Sequence, residues 1–304
     1  MISRRKLIRI AAPAIIGIAA VPKLARAMQI PLGWDNPFAF PAGRSSSFDP
    51  LHIAAQNTML SGVCIGGNFT NLLNGTVGAL GGGANAPTPV TSGGIGPSMH
   101  FLNNGNISFP YPSVAWTSAT MAAILSFDSQ AATNVREILC YSAGATEGLL
   151  INMNTSGSTT SGWSFQVASN AIVGINGGLQ GAAVIPNAPY FFAVSISNGL
   201  PANTVLTRLD TGQFTTVQVA NTNTLGAGDT SIYIGNRGLN TRQTIGSIAA
   251  VMHTTSYLSL ATLAQWSQSP WDFWYPPSML MAELKGGAAA AGTNHLLPLL
   301  GVGR

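Results

Sequence analysis

Three glutamates, Glu137, Glu147 and Glu283, are all the chain has for the acid–base work that breaks a glycosidic bond. That chemistry needs two carboxylates at a fixed separation, one as acid and one as nucleophile or base. Glu137 follows Arg136 in a β-favouring run, where neighbouring side chains point to opposite faces. Asp128 with Glu147 would have to be assembled from distant positions, so no catalytic residue is assigned and a protein without enzymatic activity is expected. Cys140-Tyr141-Ser142-Ala143-Gly144 places a cysteine where a nucleophile elbow has its first glycine, and no helical pattern follows. His52, His100, His253 and His295 lack metal-ligand spacing. His100 and His253 fall in predicted strands, where a histidine satisfied within the core or at the surface is expected. Cys64 and Cys140 sit in the apolar runs GVCIG and EILCYS and read as buried thiols rather than a disulfide framework.

Binding has more material. A neutral glycan is held by an aromatic face against the sugar's apolar patch, with amides and charged groups on its hydroxyls. Trp116, Tyr141, Trp163, Tyr190 and Tyr233 lie in or beside predicted strands, and Asn154, Asn176, Asn236 and Arg242 in adjoining loops. Trp163 and Tyr141, with Asn236, Arg237 and Arg242 in the polar loop 236–243, are the candidate ligand-binding residues.

The elements that must position them are strands. Short β-favouring runs at 98–102, 106–109, 117–127, 135–141, 149–154, 163–168, 171–175, 190–197, 204–209, 214–219, 231–234 and 247–253 are separated by Gly, Asn and Ser clusters. In Trp163-Ser164-Phe165-Gln166-Val167 and Phe192-Ala193-Val194-Ser195-Ile196-Ser197 every second residue is large and apolar, the pattern of a sheet with one face on a core. Asn103-Asn104-Gly105-Asn106, Ser197-Asn198-Gly199 and Asp210-Thr211-Gly212 supply residues that accept positive φ and can close hairpins. Residues 81–97 read as a long flexible loop and 51–59 as a short helical turn. Ser259 caps a short helix carrying Leu260, Leu263, Ala264 and Trp266 at helical spacing, and Pro270 ends it. With no repeat of 20 to 50 residues, the order predicts an all-β fold, two antiparallel sheets packed face to face with one short C-terminal helix.

The stretch 231–274 resembles the end of a laminin-G-type (LamG-like) jelly roll of the concanavalin A-like lectin/glucanase superfamily, of bacterial or phage type. The residues concerned are Tyr233-Ile234-Gly235-Asn236, Gly246-Ser247-Ile248-Ala249-Ala250-Val251, Leu258-Ser259-Leu260 through Leu263-Ala264, and Pro270-Trp271. Ser98-Met99-His100-Phe101-Leu102 resembles an early strand of the same family. The resemblance implies a β-sandwich shared by lectins, adhesion modules and glycan hydrolases, and so says little about activity. The Glu-x-Asp-x-Glu or Glu-x-Asp-x-x-Glu strand of its hydrolases is missing here. It also implies a possible Ca²⁺ on a loop aspartate at the sandwich rim, for which Asp229 and Asp128 are the candidates, although hard cations want six or more oxygens. The apolar residues of 231–274, namely Ile232, Ile234, Ile248, Val251, Leu260, Leu263 and Trp266, are expected to be spent on the core, leaving 236–243 for partners.

Charge excludes a nucleic-acid partner. Of 13 Lys and Arg, six lie in the first 27 positions (Arg4, Arg5, Lys6, Arg9, Lys23, Arg26), leaving seven against nine acids in the remainder. Those 27 residues resemble a twin-arginine signal peptide: Ser3-Arg4-Arg5-Lys6-Leu7-Ile8-Arg9, an apolar run too short to span a bilayer, and Ala25-Arg26-Ala27 as a cleavage site. The expected organisation is a signal-like segment 1–27, an extended lead-in 28–50, the sandwich 51–277 and an Ala/Gly-rich tail 278–304 that could dock on a second copy. The expected protein is an exported, non-enzymatic glycan-binding or adhesion sandwich whose partner is a glycan or a cell-surface or virion protein. The alternatives are a phage virion or tail-associated structural protein and, more weakly, a glycoside hydrolase with an unrecognised carboxylate pair.

Overall fold

The computed structural model describes residues 37–42, 44–92, 94–102, 104–128, 136–141, 149–154, 162–167, 170–172, 185–221, 224–235 and 244–276; in 136–137, 149–154, 162–167 and 170–172 it describes the backbone alone. Sixteen strands follow in chain order: β1 (Thr58–Ile65), β2 (Asn68–Asn71), β3 (Ala79–Gly81), β4 (Thr88–Ser92), β5 (Gly96–Phe101), β6 (Asn106–Pro110), β7 (Ser118–Phe127) and β8 (Arg136–Tyr141). Then come β9 (Leu149–Asn154), β10 (Gly162–Val167), β11 (Asn170–Ile172), β12 (Pro189–Ser197), β13 (Leu200–Arg208), β14 (Gln213–Val219), β15 (Ser231–Ile234) and β16 (Gly246–Thr254). A helix, α1 (Leu260–Trp266), and a 3-10 turn, Pro270–Phe273, close the order.

The strands form two antiparallel sheets. The first runs β14-β13-β12-β7-β16-β1-β2, with β5 pairing the start of β16 and β4 lying outside β5; the second runs β11-β10-β9-β8-β15-β6-β3. The predicted all-β sandwich with one short helix is therefore the fold. Four strands before residue 93 were not among those predicted, and β4 replaces part of the expected loop 81–97. Its sequence, Thr-Pro-Val-Thr-Ser, lacks apolar alternation, and Pro89 fits only because β4 is an edge strand with no ladder bond to lose on its outer side. Residues 51–59 hold turns and the start of β1 rather than a helical turn.

Two cores result. Between the sheets lie Met99, Phe101, Ile107, Phe109, Met121, Leu125, Phe127, Phe192, Val194, Ile196, Ile232, Ile234, Ile248 and Val251. Ile248 and Val251 share this face although three residues apart, because the register of β16 against β7 slips between Ile248 and Ala250, a bulge that resets the alternation. The outer face of the first sheet is buried as well. Ala122, Ile124, Ala193, Val205, Ala249, Ala250 and Met252 meet Leu263, Trp266, Trp271, Phe273 and Trp274 from the C-terminal segment, and Phe38, Phe40 and Phe48 from the lead-in. Small side chains on that face let the aromatic layer approach the strands. Trp271 donates its indole N–H to Phe38 O at 3.1 Å and Trp274 to Val251 O at 3.2 Å, so both large rings are anchored as well as buried.

Helix α1 forms for the predicted reason: Ser259 is extended and its Oγ accepts the N–H of Thr262 at 3.1 Å. Leu263 and Trp266 are buried while Leu260 is half-buried, and Pro270 opens the 3-10 turn that brings Trp271 and Phe273 down.

Candidate functional site

At one end of the sandwich the segment 111–117 leads from β6 to β7. It is held against 224–230: Tyr111 N–H donates to Thr230 O at 2.8 Å, Ser113 Oγ donates to Gly228 O at 2.7 Å, and Ala115 bridges Ala227. Beneath it, Tyr111 and Tyr141 meet edge to face at 5.0 Å. Both rings face His253 of β16, Tyr111 with its centroid at 5.4 Å and Tyr141 stacked at 6.0 Å. The Tyr111 phenol is hydrogen-bonded to His253 Nδ1. His253 is wholly buried, and desolvation pulls its pKa from 6.5 down to about 3, so the imidazole is neutral. Burial also pushes the Tyr111 phenol well up.

Tyr141 ties the segment to the second sheet. Its phenol donates to Pro112 O at 2.5 Å and accepts the N–H of Val114 at 3.0 Å. Gly228 lies so close under the ring that a Cβ there would stand 2.2 Å from a Tyr141 ring carbon. Trp116, half-buried, has its ring 6.5 Å from His253. On the facing segment Asp229, also half-buried, accepts from Thr230 N–H at 2.6 Å and from the Tyr233 phenol at 3.4 Å.

The opposite end carries Asp128, which follows β7 and bonds His100 Nε2 at 2.8 Å. Phe127 pairs Gly246, the first residue of β16, whereas His253 stands near its last, so Asp128 and the Tyr111 end are separated by the length of that strand. In register, Thr88, His100, Ser247 and Ser126 make one polar row across four strands. No hydrogen bond joins Ser247 Oγ to His100 among the described residues, so the row is not a serine–histidine–aspartate relay. The flanks of segment 236–243 are at this end: Thr244 Oγ1 donates to Gly235 O at 3.2 Å, and Asp128 N–H to Ile245 O at 3.3 Å.

Of the predicted ligand residues, Tyr141 alone has its side chain described. Tyr141 is a correction: it is 1% exposed, and its phenol is used by the backbone at 112 and 114, so it cannot stack on a glycan. Trp163 pairs Met153 in β10, with only its backbone described. Asn236, Arg237 and Arg242 lie outside the described residues, as do Glu147 and Glu283.

Asp229 and Asp128 stand at opposite ends, and neither fits calcium among the described residues. Each is a single carboxylate already facing protein donors, Asp128 beside an imidazole nitrogen, and no three His, Cys, Asp or Glu converge. Cys64 and Cys140 are buried and free, as expected. Tyr111 escaped the sequence reading, although the flanking Pro110 and Pro112 mark the end of a strand and hence a rim position.

No protein-family model matches the chain, nor does any curated protein. Solved structures do resemble it. A tryptophan-to-alanine mutant of HCR/D shares 12% identity at a TM-score of 0.50, over 73% of this chain and 55% of that one. Domain 4 of AbnA, a GH43 extracellular arabinanase from Geobacillus stearothermophilus, in complex with arabinotriose, shares 11% at 0.49, over 69% and 98%. The enzymatically active domain of bacteriophage CBA120 tailspike protein 2 shares 11% at 0.48, over 63% and 30%. The chain spans only about half of the first of these and less than a third of the last. At such identities the likeness is one of fold, a jelly-roll-like β-sandwich. No helix among the described residues is long and apolar enough to cross a membrane.

Proposed function

We propose that the protein is a non-enzymatic glycan-binding or adhesion sandwich, exported by its twin-arginine-like leader, that takes a neutral oligosaccharide at the Tyr111 end. The observation that carries this reading is that two bridged segments at this end carry a half-buried indole, Trp116, and a half-buried carboxylate, Asp229. An indole face and a carboxylate acceptor are the pair of groups that a sugar's apolar patch and hydroxyls require. The broad outer face of the first sheet is closed by its aromatic layer, which leaves a rim as the natural place for a ligand. A chain with 7% charged residues suits a neutral partner better than an ionic one.

A glycan array probed with the full chain tests it. Trp116→Ala and Asp229→Asn are each expected to weaken the strongest hit roughly tenfold, about 1.4 kcal/mol, while Arg237→Ala and Arg242→Ala leave it unchanged. The reverse pattern moves the site to loop 236–243 at the other end, and an array with no hit among neutral or acidic glycans removes the glycan reading.

A further inference from the structure

Of the five buried side-chain polar atoms without a hydrogen-bond partner among the described residues, two belong to one cluster: Trp116 Nε1 and His253 Nε2. The other three are hydroxyls of Ser61, Ser98 and Thr207, elsewhere in the first sheet and its flank. Indole nitrogen carries a hydrogen and only donates. For His253 the proton follows from the direction of the Tyr111 contact, which we take as phenol to Nδ1. Tyr111 has a phenol hydrogen to give, and His253 Nδ1 is its hydrogen-bond partner. A neutral imidazole that accepts at Nδ1 carries its hydrogen on Nε2. Two N–H donors, on rings whose centres are 6.5 Å apart, are therefore buried with nothing to receive them, a cost that a water or ligand between them would remove.

We propose that the space between Trp116 Nε1 and His253 Nε2 is a subsite for one neutral hydroxyl oxygen, filled by a water in the free protein and by a sugar hydroxyl when a glycan occupies the rim. The second occupant rests on the glycan-binding reading; the first does not. One oxygen at about 2.9 Å from each nitrogen suits rings whose centres are 6.5 Å apart. Both protein groups are donors, so the guest must accept. The absence of a cation among Tyr111, Tyr141, Trp116 and His253 disfavours an anion and favours a neutral oxygen. Segment 111–117, whose residues Pro112 to Ala115 are exposed, forms the cover, so the subsite lies one layer beneath that segment's surface.

The test uses the full ¹⁵N-labelled chain in two arms. In the free protein, the Trp116 indole N–H is expected to show a cross-relaxation peak to a long-lived bound water; its absence overturns the subsite. In the second arm the strongest array glycan is titrated in. The expected result is loss of that water peak, a downfield shift of the indole proton, and an affinity about fivefold weaker in Trp116→Phe, which keeps an aromatic ring but not the hydrogen bond. Wild-type affinity in Trp116→Phe overturns the sugar occupant while glycan binding stands. An array without a hit overturns the glycan reading and the sugar occupant together, and the water peak then decides what remains.

Discussion

His253 is buried and His52 half-buried, and desolvation draws their pKa values to about 3 and about 4, so both are neutral. Unfolding lets each take a proton near pH 6.5, so both contribute stability above that pH and lose it as the pH falls towards the folded value. Asp272 works the other way. Burial raises its carboxyl from 3.8 to about 6 despite Arg44 at 3.4 Å, so its contribution is fullest below pH 3.8 and is lost as the pH rises through 6. Between pH 6 and 4 two groups oppose one, and denaturant melts are expected to lose about 1.4 kcal/mol per pH unit. Asp272→Asn removes the opposing group, and the slope is expected to double roughly; an unchanged slope refutes the assignment. Gly228→Ala is a second residue-scale test. Its methyl cannot fit under the Tyr141 ring, so the segments at this end must part, and a loss of about 1–3 kcal/mol should accompany loss of any glycan binding there.

Among the elements, α1 and β16 formed where the cap and the β-favouring run placed them, because Ser259, Pro270 and the Gly246 to Val251 run are local signals. What local signals could not show was the second core. Phe38, Phe40 and Phe48 sit in a Pro-rich stretch with no periodicity, and their partners Trp271, Tyr275 and Phe273 are more than 200 positions away. The alternation in β12 read as one buried face and one solvated face; in fact Phe191 and Ala193 are as buried as Phe192 and Val194. Tyr141 misled for the same reason, since an aromatic in a strand looks alike whether its phenol meets sugar or backbone. Ser259→Ala is expected to cost about 1 kcal/mol by thermal melt. Phe40→Ala, which removes edge contacts to Trp271 and Tyr275 at 5.3 Å, is expected to cost about 3 kcal/mol; a change under a few tenths would make the lead-in dispensable.

At the scale of the whole molecule, the carboxylate at each end is single among the described residues and already bonded, so millimolar Ca²⁺ and chelator are expected to leave the melting temperature unchanged; a rise with Ca²⁺ that Asp229→Asn abolishes would restore the ion. The sheet order has a further consequence, in time rather than space. Strand β16 lies between β7 and β1, and Thr254 pairs Thr58. The first sheet therefore stays split until residues beyond 246 have been synthesised, and its outer layer stays open until Phe273 and Trp274 follow. Until then a nascent chain of this topology carries apolar strands unpaired, the state chaperones hold.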